Sequence, residues 1–265
     1  MKILISSLIR GMSNMEEVAR EVDSWKESDI GVEIIAFTHD AGYWQRMVSL
    51  LQQLSCPLSF HGPYIKTEGT AEDGSLEQDF LFTSYAQVIA LAKQFHVSHI
   101  VYHMTQQTFE SSKEIDDLRL QAMKNSCAVQ KLGQADGVPV LIENLPCLKT
   151  RVPLFNNQQY FDYFSTDPMA HSIIDIGHAN MMGLDLEQFL VTHGARVKAY
   201  HFHNNNGVLD EHNDIFHGTF DFDAFAPLFK EYTPNANIVL EYEPHVKLSW
   251  QEVKDQVRYL QKKYK

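Results

Sequence analysis

Short apolar runs rich in Val, Ile and Leu alternate along the chain with longer segments whose apolar positions recur every three to four residues. The first pattern predicts buried parallel strands, the second amphipathic helices. Eight runs read as strands: KILISSL (2–8), VEIIAF (32–37), LSFH (58–61), HIVYH (99–103), PVLIEN (139–144), SIIDI (172–176), KAYHFH (198–203) and NIVLEY (237–242). Helical segments follow them: NMEEVAREVDSWKES, GYWQRMVSLLQQLS, QDFLFTSYAQVIALAKQF, IDDLRLQAMKNSCAVQKLGQ, QQYFDYFS, DLEQFLVTHG, FDAFAPLFKEY and SWQEVKDQVRYLQKKYK. Asn14, Ser75 and Asp185 stand where helix caps belong, and Gly194 stands at a stop. Eight strand–helix units predict a single-domain (β/α)8 barrel spanning 1–265, an α/β fold. A doubly wound open sheet is the alternative, and the count of eight favours closure. No linker interrupts the pattern.

Composition narrows the function. The chain has 265 residues, 44% of them hydrophobic. No run of about eighteen apolar residues exists, so no membrane span is expected. The opening MKILISSLIRG is too short for a signal peptide and reads as the first strand. Cys56, Cys127 and Cys147 are odd in number and lack CxxC spacing, which points to a reduced, cytoplasmic protein. The net charge of −12, from 22 basic and 34 acidic residues, repels phosphate backbones. It disfavours nucleic acid as a partner without excluding it. Oligomeric state stays open, a homo-oligomer included.

The candidate chemistry lies at strand ends. His61, His103, Glu143, Asp175 (with His178 close behind), His201 and His203, and Glu241 close six successive apolar strands. Carboxylates and imidazoles are costly to bury unpaired. Six in register converge on the mouth where barrels of this type keep their active sites. The donors are nitrogen and oxygen without thiolate, which suits Zn, Mn, Fe or Co better than Ca. Period-two alternation puts Glu241 and Glu243 on one face, so they compete for one role. His201 and His203 also share a face. His203, nearer the mouth, is the expected ligand, with His201 a hydrogen-bonded residue one layer below.

The motifs HGPY, IEN, DIGH, HFHNN, DEH and LE, in this order, resemble the xylose-isomerase-like TIM-barrel superfamily over nearly the whole chain. That group holds sugar and sugar-phosphate isomerases and epimerases, and apurinic endonucleases of the endonuclease IV type. The endonuclease resemblance implies three metals. His61, His103 and Glu143 would hold the first. Glu143 would bridge to a second, completed by Asp175, His203 and Glu241, and His178, Asp210 and His212 would hold the third. Tyr64 would stand where those enzymes approach DNA.

The departures fall in the DNA-binding parts. MTQQTFE follows His103, NLPCLKTRVP follows Glu143, and only NNNGVL separates His203 from Asp210. No basic loops to clamp phosphates are evident. The isomerase branch implies one ion on Glu143, Asp175, His203 and Glu241. Glu143 and Glu241 would move the proton, and His178 would bind substrate hydroxyls. An arginine common in ketose 3-epimerases after the strand-seven histidine is absent, where Val208 and Leu209 stand.

In FHGTFDF (216–222), Gly218 marks a turn, and His217 is a candidate substrate contact. TAEDGSLEQD (70–79) reads as a rim loop, and Lys262, Lys263 and Lys265 as partners of the last helix dipole. No GxGxxG, Walker or GxSxG motif occurs. The expected function is metal-assisted isomerisation or epimerisation of a small sugar, sugar phosphate or related polyol-ketone, with one to three divalent ions. Abasic-site phosphodiester cleavage is the alternative, and a non-catalytic sugar- or metal-binding barrel a third reading.

Overall fold

The computed structural model describes residues 1–105, 107–110 and 115–265. Gln106, within the MTQQTFE segment, lies outside the described residues. Eight parallel strands close a barrel in chain order: β1 (Ile3–Ser6), β2 (Ile30–Ile35), β3 (Leu58–His61), β4 (Ile100–Tyr102), β5 (Val140–Glu143), β6 (His171–Asp175), β7 (Val197–Phe202) and β8 (Asn237–Leu240). Each predicted run overlaps one of them, and β1 pairs with β8 to complete the ring. The expected barrel is therefore the one observed.

The outer helices are α1 (Met15–Ser24), α2 (Ala41–Leu51), α3 (Leu76–Gln94), α4 (Ile115–Ala135), α5 (Asn157–Thr166), α6 (Ile176–Met182), α7 (Leu186–His193), α8 (Phe222–Tyr232) and α9 (Trp250–Tyr264). In α1 the buried residues Met15, Val18, Ala19 and Val22 form one helical stripe. Ser75, Asn156, Asp185, Asp221 and Ser249 each accept a hydrogen bond from a backbone N–H in the first turn of the following helix. Two expected signals act differently. The Asn14 side chain donates to the Arg10 carbonyl at 2.9 Å instead of capping α1. Gly194 stays right-handed at φ −53° and leads into a 3-10 turn. Lys263 and Lys265 pair with Asp223 and Asp29.

Most of the apolar core lies between barrel and helices, where Phe60, Tyr102, Phe189 and Phe229 are almost fully buried. A separate quartet inside the barrel, Val101, Leu141, Ile173 and Ala199, fills the half formed by β4 to β7. The β2 and β3 side of the interior is polar, with Glu33 and Ser59 fully buried. No helix among the described residues is long and apolar enough to cross a membrane.

Candidate metal centre

Glu143 and Asp175 are the last residues of β5 and β6, His61 is the last of β3, and His201 lies within β7. His103 and Glu241 follow β4 and β8 directly. All six are at one end of the barrel, and all but His103 are almost completely buried. His201 Nδ1 lies 3.1 Å from Glu143, 3.4 Å from Glu241 and 3.7 Å from Asp175. His103 Nε2 is 2.7 Å from Glu143, and His61 Nε2 is 3.9 Å from Glu143 and 4.0 Å from Glu241. On the other flank, Asp210 Oδ2 sits 3.2 Å from both His178 Nε2 and His212 Nε2.

The strand-seven imidazole that meets the three carboxylates is His201, where the sequence predicts His203. The β6–β7 register pairs Asp175 with His201, so these two share a layer. His203, two residues on, stands beyond the strand end. Its Nε2 lies 2.9 Å from the Asp175 carboxylate, and its ring stacks on His212 with centroids 3.8 Å apart. Gly177 makes room for that ring, since a Cβ there would come within 2.0 Å of it. Glu241 is buried beside His201, whereas Glu243 is exposed on the rim. The strand stops at Leu240, so alternation no longer puts both glutamates in one environment. His217 lies outside the cavity. Asp214 holds its Nδ1 at 2.7 Å, with the side chain 76% exposed. Tyr64 does line the cavity, its ring packed edge-on against His61.

Several positioning groups are not evident from the sequence motifs. Glu33, on β2, is fully buried beneath the donors. It lies 3.0 Å from His201 Nε2 and accepts from Ser59 Oγ at 2.8 Å. His201 therefore turns one nitrogen to Glu33 and the other to the carboxylates, an arrangement that fixes the tautomer of a metal-ligating histidine. An interior-facing glutamate in VEIIAF has a period-two signature that also fits a solvent-facing one. Asn144 exchanges two hydrogen bonds with the Asp175 backbone, at 2.8 and 2.9 Å. Its own carbonyl oxygen is 2.8 Å from His178 Nδ1. The asparagine run is scaffold too. Asn204 donates to the Ile215 and Phe220 carbonyls and Asn205 to Gly177, all within the protein. Gly218 is required there, because a Cβ would come 2.2 Å from the Asn204 side chain.

Charge is tightly coupled. Burial works to raise the Glu143 carboxyl, but His103 and His201 hold it well below the usual carboxylate range. Burial pushes Glu241 up to about 8 against the pull of His201 and His212. Burial opposes protonation of His212, yet its hydrogen bond to Asp210 and the charge of Glu241 carry it up to about 10. His61 is pushed down to about 4 by burial and by His103. His212 also adopts a left-handed backbone at φ 45°, rare for a side chain other than glycine and common at functional sites.

The donors suit a divalent cation. Ligand atoms of Glu143, Asp175, His201 and Glu241 lie within 4.8 Å of one another. Bonds of about 2.0–2.2 Å from zinc to nitrogen and oxygen put donors at comparable separations, so small side-chain shifts close the set. Two further groups share the mouth: His61, His103 and Glu143, and His178, His203, Asp210 and His212. Asp210 Oδ1 and His203 Nδ1 are buried without a hydrogen-bond partner, as donors awaiting a cation would be. Cys147 lines the cavity but belongs to none of the three groups.

Comparison with known proteins agrees on the architecture. The family model described as xylose isomerase-like TIM barrel matches residues 21–263. The solved structure of a D-tagatose 3-epimerase-like protein is similar, at 18% identity over 99% of both chains with a TM-score of 0.77. The 3-keto-D-glucoside 4-epimerase of E. coli, in its apo form, shares 15% identity over 99% of both chains at a TM-score of 0.73. The IOLI protein with a bound zinc atom shares 15% over 100% of this chain and 99% of its own, at 0.74. No curated protein sequence matches.

Proposed function

The chain belongs to the xylose isomerase-like TIM barrel family, and from that premise we propose that it is a divalent-metal-dependent isomerase or epimerase of a small carbohydrate-like ketone. The carrying observation is the pair Glu143 and Glu241, which approach His201 Nδ1 to 3.1 and 3.4 Å from different strands and both line one cavity of about 530 Å³. Glu143, Asp175, His201 and Glu241 would hold the ion. When bound, it supplies a Lewis acid that polarises a substrate carbonyl and acidifies the adjacent C–H.

The protein's own residues do the rest. One glutamate takes the proton from carbon, and the other returns one from the opposite face. Glu33 holds His201 in the tautomer that leaves Nδ1 facing the donors. His178, oriented by the Asn144 carbonyl, and Tyr64 face the cavity, where they can position substrate oxygens. Neighbours that are epimerases by name support this reading.

A second reading, phosphodiester cleavage over several ions, is favoured by the three donor groups meeting at one mouth. Against it stands the cavity wall, which has no Lys or Arg among its described residues. Solvent exchange separates the two. Metal-loaded protein in deuterium oxide is expected to incorporate deuterium next to a ketose carbonyl. Incision of an abasic duplex with no such exchange would overturn the proposal.

A further inference from the structure

The wall facing the donors bears on the identity of the substrate, provided that the donors hold a metal as proposed. Besides the donors, the cavity is lined by an apolar stretch from the segment between β5 and α5 and from α6, through Leu145, Leu148, Leu154, Phe155, Met181 and Met182, with Asn157 beside it. Leu154 and Met181 are buried, whereas Leu148 is 47% exposed at the entrance.

This wall is anchored. Phe109 and Val152 exchange backbone hydrogen bonds at 3.0 and 2.7 Å, and Arg119 Nε donates to the Leu154 carbonyl at 2.7 Å. The cations around this wall point elsewhere: Arg119 lies over the Phe155 ring and pairs with Asp116, Arg151 pairs with Glu110 at 3.0 Å and donates to the Thr108 carbonyl at 2.9 Å, and Lys149 is exposed. The first turn of α5, which reaches the cavity at Asn157, has its cap satisfied by a reciprocal Asn156–Gln159 box.

A phosphate brings about two negative charges and calls for Arg, Lys or free N–H donors. The described lining holds no Lys or Arg, its histidines His103, His178 and His212 are already engaged with Glu143 and Asp210, and Glu143, Glu241 and Asp210 would repel it. A bare polyol would satisfy the donors yet leave the apolar wall wetted. A cavity of about 530 Å³ is within the range of sites that enclose drug-sized ligands. We propose that the substrate is unphosphorylated and has two parts: an oxygen-chelating head at the donors, and an aryl or branched-alkyl arm joined to it that packs on Leu148, Leu154, Phe155 and Met182. A keto-sugar bearing an apolar aglycone has this form.

Binding to the zinc-loaded protein tests the arm independently of turnover. Acetohydroxamate, benzohydroxamate and phosphonoacetohydroxamate share a metal-binding head and differ in what it carries. Burial of a phenyl ring in place of a methyl predicts benzohydroxamate tighter than acetohydroxamate by roughly ten-fold or more. Phosphonoacetohydroxamate is expected to be the weakest. The double substitution Leu148→Ser with Met182→Ser should bring the benzo-to-aceto ratio toward one and leave acetohydroxamate affinity unchanged. Leu148→Ser alone, at an exposed position, should lower the ratio in the same direction should the double variant not fold. Equal affinity of the two neutral hydroxamates, or tightest binding of the phosphonate, overturns the proposal and leaves the metal site standing. Failure of all three to bind overturns the metal reading and the proposal together.

Discussion

The two sides of the cavity are built by different means. The donor side draws one residue from each of several strand ends, and every donor leans on another. His201 touches Glu33 and three further carboxylates, His103 touches Glu143, and Asp210 lies between His178 and His212. The apolar side comes from one connecting segment and one short helix, held by packing and by backbone hydrogen bonds. A coupled polar network transmits a single change through all its members, whereas apolar contacts act roughly one by one. The donor side therefore tolerates little substitution, and the wall can be altered to change what is bound without losing the centre.

The sharpest break in that contrast is His201→Gln. It is expected to weaken zinc binding by more than the ~10–100-fold typical of groups that only orient a ligand. His203→Gln should stay within that range, because His203 meets Asp175 and not the full carboxylate set. Competitive titration with a chromophoric chelator measures both, and the reverse order would return the ligand role to His203. Glu33→Gln comes next, with an expected loss of about ten- to a hundred-fold in zinc affinity. Ser59→Ala, which leaves the Glu33–His201 contact in place, should cost much less. The visible spectrum of the cobalt-loaded protein should shift in Glu33→Gln, an effect that a purely structural role would not produce.

The metal-free protein should also respond to pH. His212, normally near 6.5, stands at about 10 in the fold. A raised folded value contributes stability below the unfolded one and loses it as pH climbs to the folded one. Glu241, raised from 4.5 to about 8, acts in the same direction. His61, held at about 4, matters only below 6.5. Urea midpoints of the metal-free form should therefore fall from about pH 6.5 to 10, and bound zinc should flatten the decline. A midpoint that rises over this range would show the donors to be wired differently. The smallest effect is expected at His217→Ala: the side chain is 76% exposed on the rim, so zinc affinity and turnover should stay within about two-fold of the parent.

The barrel was legible because each strand is a short apolar run, and eight such runs alternating with helices are hard to arrange otherwise. The strand-end donors were legible because six of those runs close on a polar residue. What period-two alternation leaves open is depth. His201 and His203 point the same way, and only the pairing of Asp175 with His201 across β6 and β7 decides which one meets the carboxylates. Glu33 has the look of an ordinary polar strand residue until barrel closure brings it under His201. The helix α6 is hidden because Asp175 is at once the end of β6 and the cap of the seven-residue helix after it, with no linker between. The asparagine run has the composition of a solvated loop, yet Asn204 and Asn205 are almost wholly buried and tie the start of the loop to Ile215, Phe220 and α6. The apolar wall shows only when residues 145–155 and 181–182 are seen across one cavity.

The central claim is that Glu143, Asp175, His201 and Glu241 together hold a divalent ion. Metal content per chain, measured on purified protein and on Glu143→Gln after identical zinc loading and desalting, tests it most directly. At least one ion per chain in the parent and a marked loss in the variant is the predicted result. Full retention of metal by Glu143→Gln, or a parent that holds none, would contradict it.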